Sequence, residues 1–268
     1  MPKKKKESNV LKNVGKGLWF LAKTPYYATK GLYSLGKYTD KKIKKSRVNK
    51  KKKSMIPVYV PLDLLLVEKG DYNKWEKEIG LSDSKIGVIL GARGTGKTAF
   101  GIKFLENIHA KHKKKCYAIG FDEEEMPYWI KVVKDINELG NNSFVLIDEG
   151  GILFSSRKAM SSANKLLSDL ILIARHKNLS ILFISQNSSN LDINILRQAD
   201  FLVLKPSSLL QREFERKIIK NIYDNTKESF EKFKDVKGVA HIYSNLFQGF
   251  VSNPLPSFWG EKISKSFR

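Results

Sequence analysis

The sequence predicts an α/β protein: a mainly parallel sheet layered between helices, preceded by a basic, partly helical tail. Three observations carry this. Short, mainly apolar runs, Ile86 to Leu90, Ser143 to Asp148 and Leu179 to Ser185, read as strands, the first a continuous run that suits a buried parallel sheet. Segments of helical periodicity lie between them. A Gly-rich turn joins the first run to the segment that follows it. Strands alternating with helices give a parallel sheet covered on both sides.

The tail comes first in the chain. Of the net charge of +22 over 268 residues, residues 1–53 hold 17 lysines and one arginine against Glu7 and Asp40, which is +16. Val10, Leu11, Val14, Leu18, Leu21 and Ala22 fall at helical spacings, with Lys12, Lys16 and Lys23 between them, up to Pro25. Tyrosines punctuated by lysine continue to Tyr38, and Lys41 to Lys53 is a second basic block. Three readings stay open: an amphipathic anchor on an anionic membrane, a phosphate-neutralising arm on DNA, or a segment docked on a partner or on its own body. No stretch approaches the length that spans a bilayer, and the apolar run Leu18 to Ala22 is too short for a secretory signal, so neither is expected. A cytoplasmic location is expected, with membrane-peripheral or virion-associated placement as alternatives. One cysteine, Cys116, excludes an intramolecular disulfide and reads as a buried small apolar residue.

A compact domain is expected over 54–268, with a core at 85–205 and C-terminal helices and a hairpin at 206–268. Within it, Met55 to Val60 reads as a strand between prolines, Leu64 to Val67 as a short apolar run, and Asp71 to Gly80 as a helix. Ile86 to Leu90 is the first buried strand. Thr98 to Ala110 is a helix with Phe100, Ile102, Phe104, Leu105 and Ile108 turned inward. Lys115 to Phe121 is a strand, Met126 to Leu139 a helix, Ser143 to Asp148 a strand and Ala159 to Ala174 a helix. Leu179 to Ser185 and Phe201 to Leu204 are the remaining core strands. Leu209 to Tyr223 and Glu228 to Phe233 read as helices. Val239 to Tyr243 and Phe247 to Val251 read as a hairpin about Asn245, followed by an extended arm from Pro254 to Gly260.

Gly91, Ala92, Arg93, Gly94, Thr95, Gly96, Lys97, Thr98 and Ala99 contain the spacing G-x-x-x-x-G-K-[ST] of a phosphate-binding loop. Glycines let the backbone curl so that its N–H groups face phosphate oxygens. The following helix aims its positive end at the same anion. Lys97 is expected on the β- and γ-phosphates of ATP, and the Thr98 hydroxyl on Mg²⁺. The strand Phe144 to Ile147 ends in Asp148 and Glu149. Ligands of parallel sheets gather at the carboxyl ends of strands, so Asp148 is expected near Thr98 as a second Mg²⁺ ligand. Glu149 is placed to polarise the attacking water. Gln186 ends another strand, where an amide orients water or senses the γ-phosphate. Arg175, before that strand, cannot easily reach its own phosphates; it could reach a neighbour's in a ring, or be a surface charge after a helix. His109 and His112 share a helix face but lack further ligands at metal spacing, and Asp122 to Glu125 reads as a helix-start acid cluster.

Together, Gly91 to Thr98, Leu146 to Gly150, Ala174-Arg-His176, Ile181 to Gln186 and Asn194 to Asp200 resemble the HerA–FtsK superfamily of DNA-pumping P-loop ATPases. The nearest resemblance is to viral genome-packaging ATPases and zonula-occludens-toxin-like assembly ATPases. It covers about Ile86 to Leu204. It implies a three-layer α/β/α P-loop NTPase of the ASCE, RecA-like type. It assigns Lys97 and Thr98 to nucleotide and Mg²⁺, Asp148 and Glu149 to hydrolysis, Gln186 to phosphate sensing and Arg175 to action in trans. It further implies a homo-oligomeric ring, often hexameric, with DNA through its pore. The basic tail is expected to hold DNA or to dock on a membrane or capsid. The toxin-like proteins carry a membrane-spanning helix after the ATPase domain, which this sequence lacks. A virion or filament assembly ATPase and a nucleotide switch with little hydrolysis are the alternative functions.

Overall fold

The computed structural model describes residues 54–148 and 171–260, with Ser46, Val48, Lys52 and Ile263 as isolated positions. The chain divides into two compact units, Met1–Lys51 and Lys52–Arg268; the description that follows is of the second.

Nine strands form one sheet: β1 (Asp63–Gly70), β2 (Ile86–Leu90), β3 (Lys115–Ile119), β4 (Ile130–Val132), β5 (Ser143–Asp148), β6 (Leu179–Ile184), β7 (Phe201–Leu204), β8 (Val239–Ser244) and β9 (Phe247–Ser252). Their order is β1-β9-β8-β7-β2-β6-β5-β3-β4. The six strands from β7 to β4 run parallel. β8, β9 and β1 extend that sheet antiparallel beyond β7. The parallel strands β2, β5 and β6 are buried at every residue, which is why they read as mainly apolar runs.

Helices cover both faces. On one lie α1 (Tyr72–Leu81) and α2 (Lys97–His112). Trp75, Phe100 and Phe104 there meet Phe144, Phe201 and Phe247 of the sheet. On the other face lie the helical residues 171–177, α3 (Ile193–Gln198) and α5 (Lys217–Asn225). Ile171, Ile195, Ile219 and Tyr223 pack with Val88, Leu90, Val145 and Phe183. The short helices α4 (Leu209–Glu213) and α6 (Lys227–Lys232) flank α5. Successive strand side chains alternate between these two cores, as the two-residue period requires. α2 presses so close to β5 that a Cβ on Gly101 would lie 2.7 Å from the Leu146 Cδ1 atom.

Most expected elements are present, and three differ. The segment 126–139 is not a helix. Pro127 interrupts its start, and Ile130–Val132 pairs parallel with β3 as an edge strand. Asp135 then caps a single 3₁₀ turn at Ile136–Glu138. The β-branched run Ile130, Val132 and Val133 favours the extended form. The segment 55–60 joins no strand. Its backbone bonds instead to side chains of α2: Val58 N–H to Glu106 Oε1 at 3.1 Å and Val60 N–H to Asn107 Oδ1 at 3.1 Å. The Asn107 amide in turn donates to the Val60 carbonyl at 2.7 Å. The expected single helix 209–223 is two, α4 and α5, parted where Glu215 and Arg216 turn to hold the loop after β6. Of the helix expected over 159–174, residues 159–170 lie outside the described residues, and 171–174 belong to the helical stretch 171–177.

Candidate nucleotide site

The turn after β2 is shaped by glycine. Gly91, Gly94 and Gly96 hold φ of 146°, 82° and 84°, values that side chains disfavour. A Cβ on Gly91 would meet Lys205 Cβ at 2.6 Å, whereas Gly94 and Gly96 face open space. Their need is therefore conformational, and they leave a cradle in front of the loop. α2 begins at Gly96 with no side-chain cap. Its first N–H groups are left for an anion, reinforced by the helix dipole.

Lys97 is folded over this loop. It is 8% exposed, and its Nζ donates to the carbonyls of Gly91 at 2.7 Å and Ala92 at 2.8 Å. Burial pushes its pKa down to about 8, against the opposing pull of Asp148. Thr95 Oγ1 donates to the Ala92 carbonyl at 2.7 Å, and the Ala92 N–H donates to the Pro206 carbonyl at 3.0 Å. Arg93 is exposed at the loop's tip.

β6 separates β2 from β5, so the loop and the acid are not on neighbouring strands. All three strands nevertheless end at the same edge of the sheet. The result is a contact between residues 50 positions apart: Thr98 Oγ1 donates to Asp148 Oδ2 at 3.4 Å. Asp148 is 7% exposed. A hydroxyl and a carboxylate converging beside a buried lysine and a run of uncapped amides fit a triphosphate with a hard divalent cation. Glu149, the next residue, lies outside the described residues.

Gln186 follows β6, between the other two strand ends, and is exposed. Its loop is pinned from outside: Gln211 Nε2 donates to its carbonyl. Glu215 accepts from the Ser188 N–H at 2.8 Å and from its hydroxyl. Arg216 donates to the carbonyls of Ser188 at 3.0 Å and Leu191 at 2.8 Å. Arg175 and His176 are exposed near the end of the helical stretch that enters β6, at the amino edge of the sheet. A six-residue strand spans about 20 Å, so Arg175 and its own chain's phosphate loop are at opposite edges. His109 stacks on Trp129 and its Nδ1 bonds the Lys114 carbonyl at 2.8 Å. Asp122 does begin a helical turn, but only the 3₁₀ turn Glu123–Glu125. Among the described residues, no group of three or more His, Cys, Asp or Glu is arranged to hold a metal. Sequence reasoning missed Lys205, the buried lysine against Gly91; a charged residue closing the apolar strand Phe201 to Leu204 is the visible signal.

The family model for Zonular occludens toxin (Zot) matches residues 101–203. Over that segment the chain is similar to the Zot family. The matched segment runs from α2 into β7 and takes in Asp148, Glu149, Arg175 and Gln186; the phosphate loop precedes it. No curated protein matches this chain. Among solved structures, the chain resembles the genome packaging NTPase of Sulfolobus turreted icosahedral virus 2 in complex with ATP-gammaS. Identity there is 18%, over 65% of this chain and 100% of that one, with a TM-score of 0.47. The pCW3 conjugation coupling protein TcpA, with ATPgS, is 12% identical over 69% and 64%, with a TM-score of 0.42. ATPases 2 and 3 of Thermomonospora curvata EccC are 10% identical over 68% and 40%, with a TM-score of 0.45.

Proposed function

We propose that the chain is an ATP-hydrolysing motor that moves or packages DNA, working as a ring. The observation that carries the reading is the meeting of Thr98 and Asp148 beside the phosphate loop across an intervening strand. A phosphate loop alone binds phosphates. An acid-bearing strand end held against it supplies the second half of a hydrolytic site. The Zot match over the segment with both acids, Gln186 and Arg175 is in keeping with this.

In this reading the amides of Gly94 to Ala99 and the Lys97 ammonium hold the triphosphate. Thr98 and Asp148 hold Mg²⁺, which supplies charge neutralisation of the phosphates. Glu149 accepts a proton from the attacking water, and Gln186 orients that water. Arg175 serves the site of the neighbouring subunit, since its own lies at the far edge of the sheet. Residues 1–53, with most of the chain's positive charge, grip a polyanion. In this reading that polyanion is DNA.

The family match also favours a second reading, a membrane-peripheral ATPase for virion or filament assembly. No helix among the described residues is long and apolar enough to cross a membrane. Two titrations separate the readings. Turnover that rises with added duplex DNA, and loses that rise steeply with salt, supports the motor. Binding of residues 1–53 to anionic vesicles, with turnover indifferent to DNA, supports assembly at a membrane.

A further inference from the structure

Lys205 follows β7 and is fully buried. Its ammonium donates to the carbonyls of Gly238 at 2.8 Å and Val239 at 3.2 Å, and to Asn253 Oδ1 at 2.6 Å. Three donors thus meet three acceptors, and no carboxylate is among them. The ammonium also lies 5.2 Å from the centre of the Phe100 ring in α2. Burial pushes its pKa down to about 7. A leucine would fill such a place at far lower cost, so packing alone does not account for lysine.

The acceptors share an origin. Gly238 and Val239 open the β8–β9 hairpin, and Asn253 follows it. The two ends of the hairpin are therefore fastened to one ammonium. The main chain of the same residue faces the phosphate loop. Its N–H donates to the Leu90 carbonyl at 2.8 Å, and its carbonyl accepts from the Tyr223 hydroxyl at 3.0 Å. Its Cβ occupies the space next to Gly91, and the Pro206 carbonyl receives the Ala92 N–H. One residue thus holds the rear of the phosphate loop with its backbone and the hairpin with its side chain.

We infer that Lys205 is a positioning residue for nucleotide binding, which couples the placement of the phosphate loop to the order of the β8–β9 hairpin. It acts through Gly91 and Ala92 and touches no phosphate. Because coupling is reciprocal, the nucleotide that the loop holds tightens the hairpin, and a loosened hairpin weakens the loop's hold. This rests on the nucleotide-binding part of the proposed function, and on neither hydrolysis nor DNA.

The test uses the full chain, a fluorescent ATP analogue and hydrogen exchange. Wild-type protein must bind the analogue; if it does not, the nucleotide reading itself falls. Given binding, Lys205→Met is expected to weaken it on the order of tenfold. ATP-gammaS with Mg²⁺ is expected to slow exchange at amides 239–252 in the wild type and not in Lys205→Met. Asn253→Leu, which removes one acceptor and leaves the loop untouched, should weaken binding in the same direction. Asn253→Asp, which still holds the ammonium, should bind as the wild type does. Should Lys205→Met fail to fold, the Asn253 pair decides. Tight binding by Asn253→Leu, or nucleotide protection of its hairpin equal to that of the wild type, overturns the inference.

Discussion

Lys97 shows at the residue scale what the site asks of a side chain. Its ammonium is buried on carbonyls of its own loop, and burial lowers its pKa to about 8. The protonated form is the one that attracts phosphate. Affinity for nucleotide in the free protein is therefore expected to be full below about pH 8 and to decline as pH rises through that value. Fluorescent-nucleotide titrations from pH 7 to 9.5 measure this, and Lys97→Arg, charged throughout, should flatten the decline. The same shift acts on folding with a definite sign. The folded pKa lies below the unfolded one, so the unfolded state binds more protons and stability rises with pH above about 8. Gly91 makes a second demand. Alanine there would combine a φ of 146° with a 2.6 Å approach to Lys205 Cβ. Gly91→Ala is expected to cost about 1–3 kcal/mol of stability and to abolish detectable nucleotide binding. Thermal denaturation and titration read the two effects separately.

At the scale of elements, α2 does two jobs. Its first turn carries the nucleotide residues. Its middle carries a buried clasp in which Lys103 Nζ and Glu106 Oε2 lie 2.8 Å apart, at 1% and 0% side-chain exposure. Glu106 also accepts from Val58 and Ser257 N–H groups, and Lys103 donates to the Val58 carbonyl at 3.1 Å. The clasp joins the segment before β1 to the arm after β9. Glu106→Ala strands a buried ammonium and is expected to cost about 3–5 kcal/mol, while Lys103→Met with Glu106→Leu should cost less than that single change. Denaturant midpoints of the three proteins check the order. The elements legible in sequence were those decided by local pattern. β2, β5 and β6 are mainly apolar runs, and α2 keeps a helical face. The β8–β9 hairpin lies close to its expected bounds. Illegible were elements decided by distant partners. Residues 130–132 became a strand because the edge of β3 was there to pair with. Residues 55–60 stayed out of the sheet because Glu106 and Asn107 took their hydrogen bonds. The meeting of Thr98 and Asp148 was legible because a parallel sheet gathers its strand ends at one edge. The role of Lys205 was not, since its partners Gly238 and Asn253 are brought to it only by the antiparallel extension.

Over the whole molecule, the phosphate loop, Asp148 and Gln186 stand at one edge of the sheet and Arg175 at the other. In the proposed ring, that separation asks for head-to-tail contacts in which one subunit completes the next. Arg175→Ala is expected to leave nucleotide affinity within about twofold and to lower turnover on the order of 10³-fold in the assembled state. Residues 1–53 carry most of the chain's positive charge, and the reach of such charge shrinks as salt rises. The most direct measurement of the central claim is the steady-state ATPase rate of the full chain, with and without duplex DNA, beside Glu149→Gln. The account predicts turnover in the wild type that DNA raises at low salt, and a rate reduced on the order of 10²-fold or more in Glu149→Gln. Equal turnover in the two proteins, or a wild-type rate indifferent to DNA at every salt concentration, would contradict it.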